Sequence, residues 1–202
     1  MEILAINKKT KKVLITVSGL DGSGKSTQAK LITEYMPNSK IVHIVDFRLV
    51  NKILNFRKSK KNSNSKNKLS KNKIVGLINL FLLFLDMLIF KIYFKMQKKS
   101  IVCDRFFYDL IASHTYRYGD SFLIKQIIKF IPQTDLSFFI EVDENIAQKR
   151  EQDGFHEIEY FQKMTHFYNH FFDKNTFIKI KSSSVVAVKQ SIFRKIQDNI
   201  GL

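Results

Sequence analysis

Tryptophan is absent from the 202 residues, proline occurs twice and cysteine once. The lone Cys103 excludes an internal disulfide and a multi-cysteine metal site, which fits a reducing, cytoplasmic setting. Few tryptophans and prolines beside abundant Lys, Asn, Ile and Phe is the pattern an AT-rich coding sequence gives. Acidic residues are also scarce, 18 against 34 basic ones, for a net charge of +16. Such a surplus points to an anionic partner (nucleotide, nucleic acid or anionic membrane) or else reflects the same bias. Only six of the basic residues are arginine, which phosphate and nucleic-acid recognition favour, so bias is the stronger reading. No apolar signal segment opens the chain, because Ile3, Leu4 and Ile6 run straight into Lys8, Lys9, Lys11 and Lys12. No internal repeat is visible. The length suits one α/β domain, and an apolar content of 45% is ordinary for a globular protein.

What is present is the stretch Gly19-Leu20-Asp21-Gly22-Ser23-Gly24-Lys25-Ser26-Thr27. It satisfies the phosphate-loop spacing of Gly, four residues, Gly-Lys-Ser. Val13 to Val17 before it is apolar and β-branched, hence a buried strand, and Ser26 to Met36 after it reads as a helix stopped by Pro37. The glycines let successive N–H groups converge on one concavity, and the following helix adds its positive dipole end. Lys25 supplies a mobile charge for the β- and γ-phosphates, and the Ser26 hydroxyl suits Mg²⁺.

Further along, strand and helix alternate, which predicts a parallel sheet covered on both faces. Strands are expected at Lys40–Val45, Ser100–Cys103, Leu136–Val142 and Thr176–Ile180. Arg48 lies past the end of the first of these, where doubly wound sheets bind ligands, and is a candidate clamp for a substrate phosphate. Residues 57–73 are rich in Lys, Asn and Ser and read as a flexible basic insertion. Residues 74–96 form the most apolar segment. Its continuous apolar part, 74–90, includes Asp86, which would cost about 2.5–3.5 kcal/mol at mid-bilayer, so a buried helix is favoured over a membrane span. Asn79, Asp86 and Tyr93 recur every seven residues, so they share one helix face. That stripe either lines the acceptor cavity or meets solvent and the basic insertion. Asp104, at the tip of the third strand, suits a Mg²⁺-water ligand, and Arg105 beside it can grip a phosphate bidentately. Helices are expected at Leu110–Tyr118, from Ser121 to about Phe130, at Glu144–Arg150 behind an Asp143 cap, over 155–172, and at Val185–Ile200. His166 and His170 have metal-pair spacing, but no third ligand accompanies them.

Three motifs, in order, carry a resemblance to the thymidylate kinase family of nucleoside-monophosphate kinases. They are Gly19 to Gln28 (family G-x-D/E-G-x-G-K-S/T-T-Q), Asp104-Arg105-Phe106 (D-R-Y/F), and Thr134-Asp135-Leu136 through Val142-Asp143-Glu144 to Ala147-Gln148-Lys149-Arg150 (P-D-L, L-D-V-D, A-L-x-R). Tyr168 matches a family tyrosine. The resemblance implies a three-layer P-loop kinase fold with a five-stranded parallel sheet in the order 2-3-1-4-5. It also implies transfer of the ATP γ-phosphoryl group to a deoxythymidine monophosphate or a related nucleotide, with Mg²⁺. By position, Gly19, Asp21, Gly22, Ser23, Gly24, Lys25, Ser26 and Thr27 would hold ATP, with Lys149 and Arg150 joining from a lid over about 149–158. Ser26 and Asp104 would hold Mg²⁺. Lys25, Arg105 and Arg150 would be catalytic, and Asp21 and Arg105 would face the acceptor; Arg48, Asp86 and Tyr108 join them as acceptor-side candidates that the resemblance does not itself supply.

Several acceptor-side positions depart from the family pattern. Phe47-Arg48-Leu49 stands for Arg-Glu-Pro or Arg-Phe-Pro, Asp153-Gly154 for the lid Asp-Arg, and Tyr108-Asp109-Leu110 follows where the family has Ser and then Ala-Tyr-Gln. The expectation is one cytoplasmic kinase domain over 1–202 that takes a small nucleotide and pairs as a homodimer through the apolar helix. Two alternatives stand beside it: a kinase of another small metabolite, and a non-catalytic nucleotide-binding protein that docks an anionic membrane or nucleic acid.

Overall fold

Strand β1 (Leu14–Gly19) is buried along its whole length, as a β-branched run before a glycine loop must be in the middle of a parallel sheet. The computed structural model describes residues 12–47, 73–151, 156–172, 176–182 and 184–201. On one side β1 pairs with β3 (Ser100–Asp104), and on the other with β4 (Leu136–Glu141). The edges are β2 (Ser39–His43) and β5 (Ile178–Lys181). All four pairings are parallel, and the order is β2-β3-β1-β4-β5, the order the resemblance implied.

Period-two alternation sorts the central strands onto two layers of helix. Val13, Ile15 and Val17 face α1 (Lys25–Tyr35) and α7 (Val185–Ile200), where Ala29, Ile32, Val188 and Ile192 close one core. Leu14, Ile101, Cys103 and Phe139 face the other layer. It is built from α2 (Lys73–Met96), α3 (Phe107–Tyr118) and α6 (Ile158–Phe171). Short helices α4 (Phe122–Ile128) and α5 (Glu144–Arg150) complete the chain. Phe90, Phe106 and Phe107 meet edge to face at 5.1–5.6 Å between ring centres and anchor α2 to the start of α3.

Some boundaries shift for local reasons. β2 ends at His43, and Ile44–Phe47 forms a 3₁₀ turn that tucks Ile44 fully into the core. Ser121 occupies the N-cap of α4, but its hydroxyl makes no capping bond; the Ile124 N–H is taken by the Ser121 carbonyl instead. Asp143 does cap α5, accepting from the N–H groups of Asn145 and Ile146. The helix expected over 155–172 begins at Ile158, and β5 at Ile178.

Helix α2 is long and apolar enough to cross a membrane, with a third of its most apolar window buried. The buried third is one face only: Gly76, Leu80, Leu83, Asp86, Met87 and Phe90. Gly76 marks the closest approach, since a Cβ there would sit 3.1 Å from the Tyr118 ring of α3. The opposite face leaves Ile74, Leu77, Ile78, Phe81 and Ile92 more than half exposed.

Candidate active site

The site lies at the C-terminal ends of β1 and β3, in a cleft of about 730 Å³. One wall is the loop between β1 and α1. Gly22 has φ 76°, and a Cβ there would stand 2.4 Å from the Ala147 carbonyl oxygen and 3.1 Å from Arg150 Cβ. Only glycine lets the loop lie this close to α5. Gly24 is the N-cap of α1, so no side chain caps the helix, and no acid lies in its first turn. The first bond within α1 runs from the Gln28 N–H to the Gly24 carbonyl. The Lys25, Ser26 and Thr27 amides precede it and are donors at a positive helix end.

Asp21 joins this wall to the next. Its Oδ1 is paired with the Arg105 guanidinium and lies 3.5 Å from Lys25 Nζ, and its Oδ2 accepts from the Tyr160 hydroxyl at 3.2 Å. Burial works against the Asp21 charge, but Lys25, Arg105 and the bonds from Arg105 and Tyr160 outweigh it and hold the carboxyl below the usual carboxylate range. Burial, followed by repulsion from Arg105, pushes the Lys25 ammonium down; Asp21, Asp109 and Asp104 offset only part of this. The Lys25 ammonium also donates to the Leu20 carbonyl. Arg105 follows β3 with φ 65°, a left-handed position that a non-glycine residue adopts only when its surroundings fix it. Burial opposes its charge, but Asp21 and Asp109 more than restore it.

Part of that fixing comes from Asp109, a carboxylate only 2% exposed. Its Oδ2 accepts from Ser18 Oγ at 2.7 Å and from the Phe106 N–H at 2.8 Å, and its Oδ1 accepts from the Tyr168 hydroxyl at 2.8 Å. One side chain thus ties the end of β1, the turn after β3 and helix α6 behind Arg105.

The residues singled out by sequence are divided by the structure. Asp21, Gly22, Gly24, Lys25, Ser26, Thr27, Arg105 and Arg150 line the cleft, together with Glu151 and His156. Arg150 also donates to Ser182 Oγ at 3.3 Å. Gly19 and Ser23 belong to the loop but are not in the lining, and Lys149 is exposed outside it. Tyr108 is not in the cleft: its ring packs on Phe172 and Phe177, and its hydroxyl bonds Ser137 and Thr134. The polar stripe of α2 does not reach the lining either. Asn79 bonds His114 of α3 at 3.2 Å, Asp86 is buried, and Tyr93 lies under the Lys40 ammonium. Arg48, residues 57–72 and the middle of the lid, 152–155, lie outside the described residues.

Spacing alone missed Tyr160, His156 and Glu151, and gave Asp109 no place in the site. For Asp109 a signal existed: an acid three residues after a strand-end turn is the position that reaches back to a helix N-cap amide. Tyr160 offered none, since 139 positions separate it from Asp21.

The oxygen donors fit a hard divalent cation. Ser26 lines the cleft; Asp104, next to Arg105 but not itself in the lining, has Oδ1 buried without a hydrogen-bond partner among the described residues, while its Oδ2 meets His43 Nδ1 at 3.1 Å.

Comparison with known proteins places the chain in a family. The family model described as thymidylate kinase matches residues 17–192. The thymidylate kinase of Ehrlichia canis is 32% identical over 81% of this chain and 84% of its own length, and that of Ehrlichia chaffeensis is 34% identical over 68% and 70%. A probable thymidylate kinase of Methanocaldococcus jannaschii is 27% identical over 85% and 87%. Among solved structures, the Candida albicans thymidylate kinase superposes with TM-score 0.64 at 18% identity, covering 93% of this chain and 92% of that one. The Ehrlichia chaffeensis enzyme gives 0.57 at 23%, covering 92% and 99%. A family match that runs from β1 through every later strand into α7 leaves one assignment: the chain belongs to the thymidylate kinase family of nucleoside-monophosphate kinases.

Proposed function

We propose that this enzyme transfers the γ-phosphoryl group of ATP to a nucleoside monophosphate, with thymidylate the first candidate acceptor. The observation that carries the reading is Asp21 holding Lys25 and Arg105 together at the mouth of an uncapped helix N-terminus. A buried ammonium, a part-exposed guanidinium and the amides of a helix N-terminus suit two phosphate groups brought end to end. The amides from Gly24 to Thr27 and the Lys25 ammonium would seat the donor polyphosphate, and a bound polyphosphate would supply the counter-charge that burial denies Lys25. Arg105 would grip the acceptor phosphate, held in place by Asp21 and Asp109. Arg150 would add charge from α5. Ser26 and Asp104 would hold Mg²⁺, which when bound offsets charge on the donor phosphate oxygens. The protein's work is alignment and charge neutralisation, because phosphoryl transfer asks for little covalent chemistry from it.

The exposed apolar face of α2 supports a homodimer through that helix. The single cysteine supports a reducing, cytoplasmic setting. The deciding experiment is ADP release from MgATP across nucleoside monophosphates, nucleosides and sugar phosphates. Turnover with at least one nucleoside monophosphate is expected. Turnover confined to sugar phosphates or nucleosides would move the enzyme to another acceptor class, and no turnover with any compound would sink the reading.

A further inference from the structure

Away from the active site, α6 carries a pair of metal-ligating side chains that the kinase reading does not use. His166 and His170 are one turn apart, so both imidazoles leave the same face of the helix. Their rings lie parallel to within 8°, with centres 5.7 Å apart. Two imidazoles on one tetrahedral ion, each with a metal–nitrogen distance of about 2.1 Å, hold their ring centres about 5.3 Å apart. The pair therefore stands within a small side-chain adjustment of the separation that a shared ion sets.

The surroundings admit a cation. Both histidines line a cavity of about 580 Å³ in the groove between α3 and α6. Its fixed charges are two carboxylates, Asp120 from the turn after α3 and Glu159, against the single ammonium of Lys163. That ammonium is 2.6 Å from Glu159 Oε1 and sits over the Tyr116 ring, so it is drawn toward the start of α6, while His166 lies toward its end. The remaining field is negative. Among the described residues no carboxylate joins the two imidazoles within 4.8 Å, so an ion here has two protein ligands and takes water in its other positions. Nitrogen donors suit a borderline cation of the Zn²⁺ class; Mg²⁺ takes oxygen donors.

We propose that His166 and His170 form a chelating site for a divalent cation of the Zn²⁺ class, outside the phosphate-transfer cleft. The inference goes beyond the kinase reading and does not rest on it. The strength of the site comes from linkage: two ligands on one rigid helix exceed a lone imidazole by roughly 10²-fold. A bound ion ties two turns of α6 together and favours the folded chain by mass action. The same helix carries Tyr160, which holds Asp21, and Tyr116 of the cavity meets Tyr160 edge to face at 4.9 Å. The ion therefore sits in a groove whose aromatic wall backs onto the phosphate loop.

The test is calorimetric titration of ZnCl₂ near neutral pH into the full chain, free of any histidine tag, and into its His166→Gln, His170→Gln and doubly substituted forms. Zn²⁺ also finds donors in the active site, so the result is read as a difference between proteins. The unsubstituted chain should bind one more Zn²⁺ than the doubly substituted form. Either single substitution should weaken that site by about 10²-fold, the scale of a lost chelate. An excess of Mg²⁺ should leave it filled. Both histidines are exposed, so urea midpoints in chelator should match across the four proteins, and Zn²⁺ should raise that of the unsubstituted chain most. Equal Zn²⁺ binding by the unsubstituted and doubly substituted chains overturns the inference. So does a loss confined to one of the two single variants, or displacement of the ion by Mg²⁺. Each of these leaves the kinase reading standing.

Discussion

The phosphate loop and helix α2 were the two most pronounced stretches of the sequence, and they behave in opposite ways. The loop does its work with main-chain atoms of consecutive residues, so a nine-residue pattern suffices to specify it. Its side chains and amides reach the cleft together because Gly22 presses the loop onto α5 and Gly24 leaves α1 uncapped. Helix α2 presents a pattern just as regular, but what its residues touch depends on partners far along the chain. Its polar stripe is consumed in packing, as Asn79 with His114 and Tyr93 with Lys40 show. A motif built from backbone transfers from sequence to structure; a motif built from side chains waits for its neighbours.

Breaking the loop should give the largest effect. Lys25→Ala is expected to lower kcat with MgATP by about 10³-fold, the scale of losing one preorganised charge at a developing anion. Urea unfolding should show the fold intact, because the substitution removes a buried charge that burial already disfavours. Retention of most of the turnover would contradict the loop's role. The next largest effect should come from a residue that the loop motif does not contain. Asp109→Asn turns an acceptor of three hydrogen bonds into a group that must point an NH₂ at a donor, and should cost about 2–3 kcal/mol in urea unfolding. It should also raise KM for the acceptor, whose phosphate meets Arg105, more than KM for ATP. Equal changes in both constants would mean that Asp109 supports the fold alone. The smallest effect on the fold should come from the outer face of α2. Phe81→Glu, at a position 60% exposed, should change the stability of the isolated chain by less than about 0.5 kcal/mol. Sedimentation should nonetheless show the assembly fall from dimer to monomer, and an unchanged mass would remove α2 as the interface.

The same contrast explains what could be read in advance. The parallel sheet, its two covered faces and the loop were legible because short apolar β-branched runs, a glycine-lysine pattern and the alternation of strands with helices are local signals; the strand order came with the family resemblance. So was the Asp143 cap, whose acceptor and donors are two and three residues apart. Tyr108 was misplaced because a tyrosine one turn past Arg105 looks exposed to the site in sequence, while helical geometry turns it toward Phe172 and Phe177. Tyr160 and His156 escaped because they meet Asp21 only after α6 folds back over the sheet. Family membership sides with catalysis over the non-catalytic alternative, because the departures from the motif spare the lysine, the serine and the aspartate-arginine pair.

Cys103 carries a practical consequence. The only sulfhydryl of the chain lies in the middle of β3 with no exposed surface, and burial, reinforced by the Asp104 carboxylate, suppresses its ionisation. Thiolate-seeking reagents therefore find no target in the native molecule. The rate at which a maleimide modifies the untouched protein becomes a built-in clock for opening of the central sheet, and any cysteine engineered onto the surface can be labelled alone.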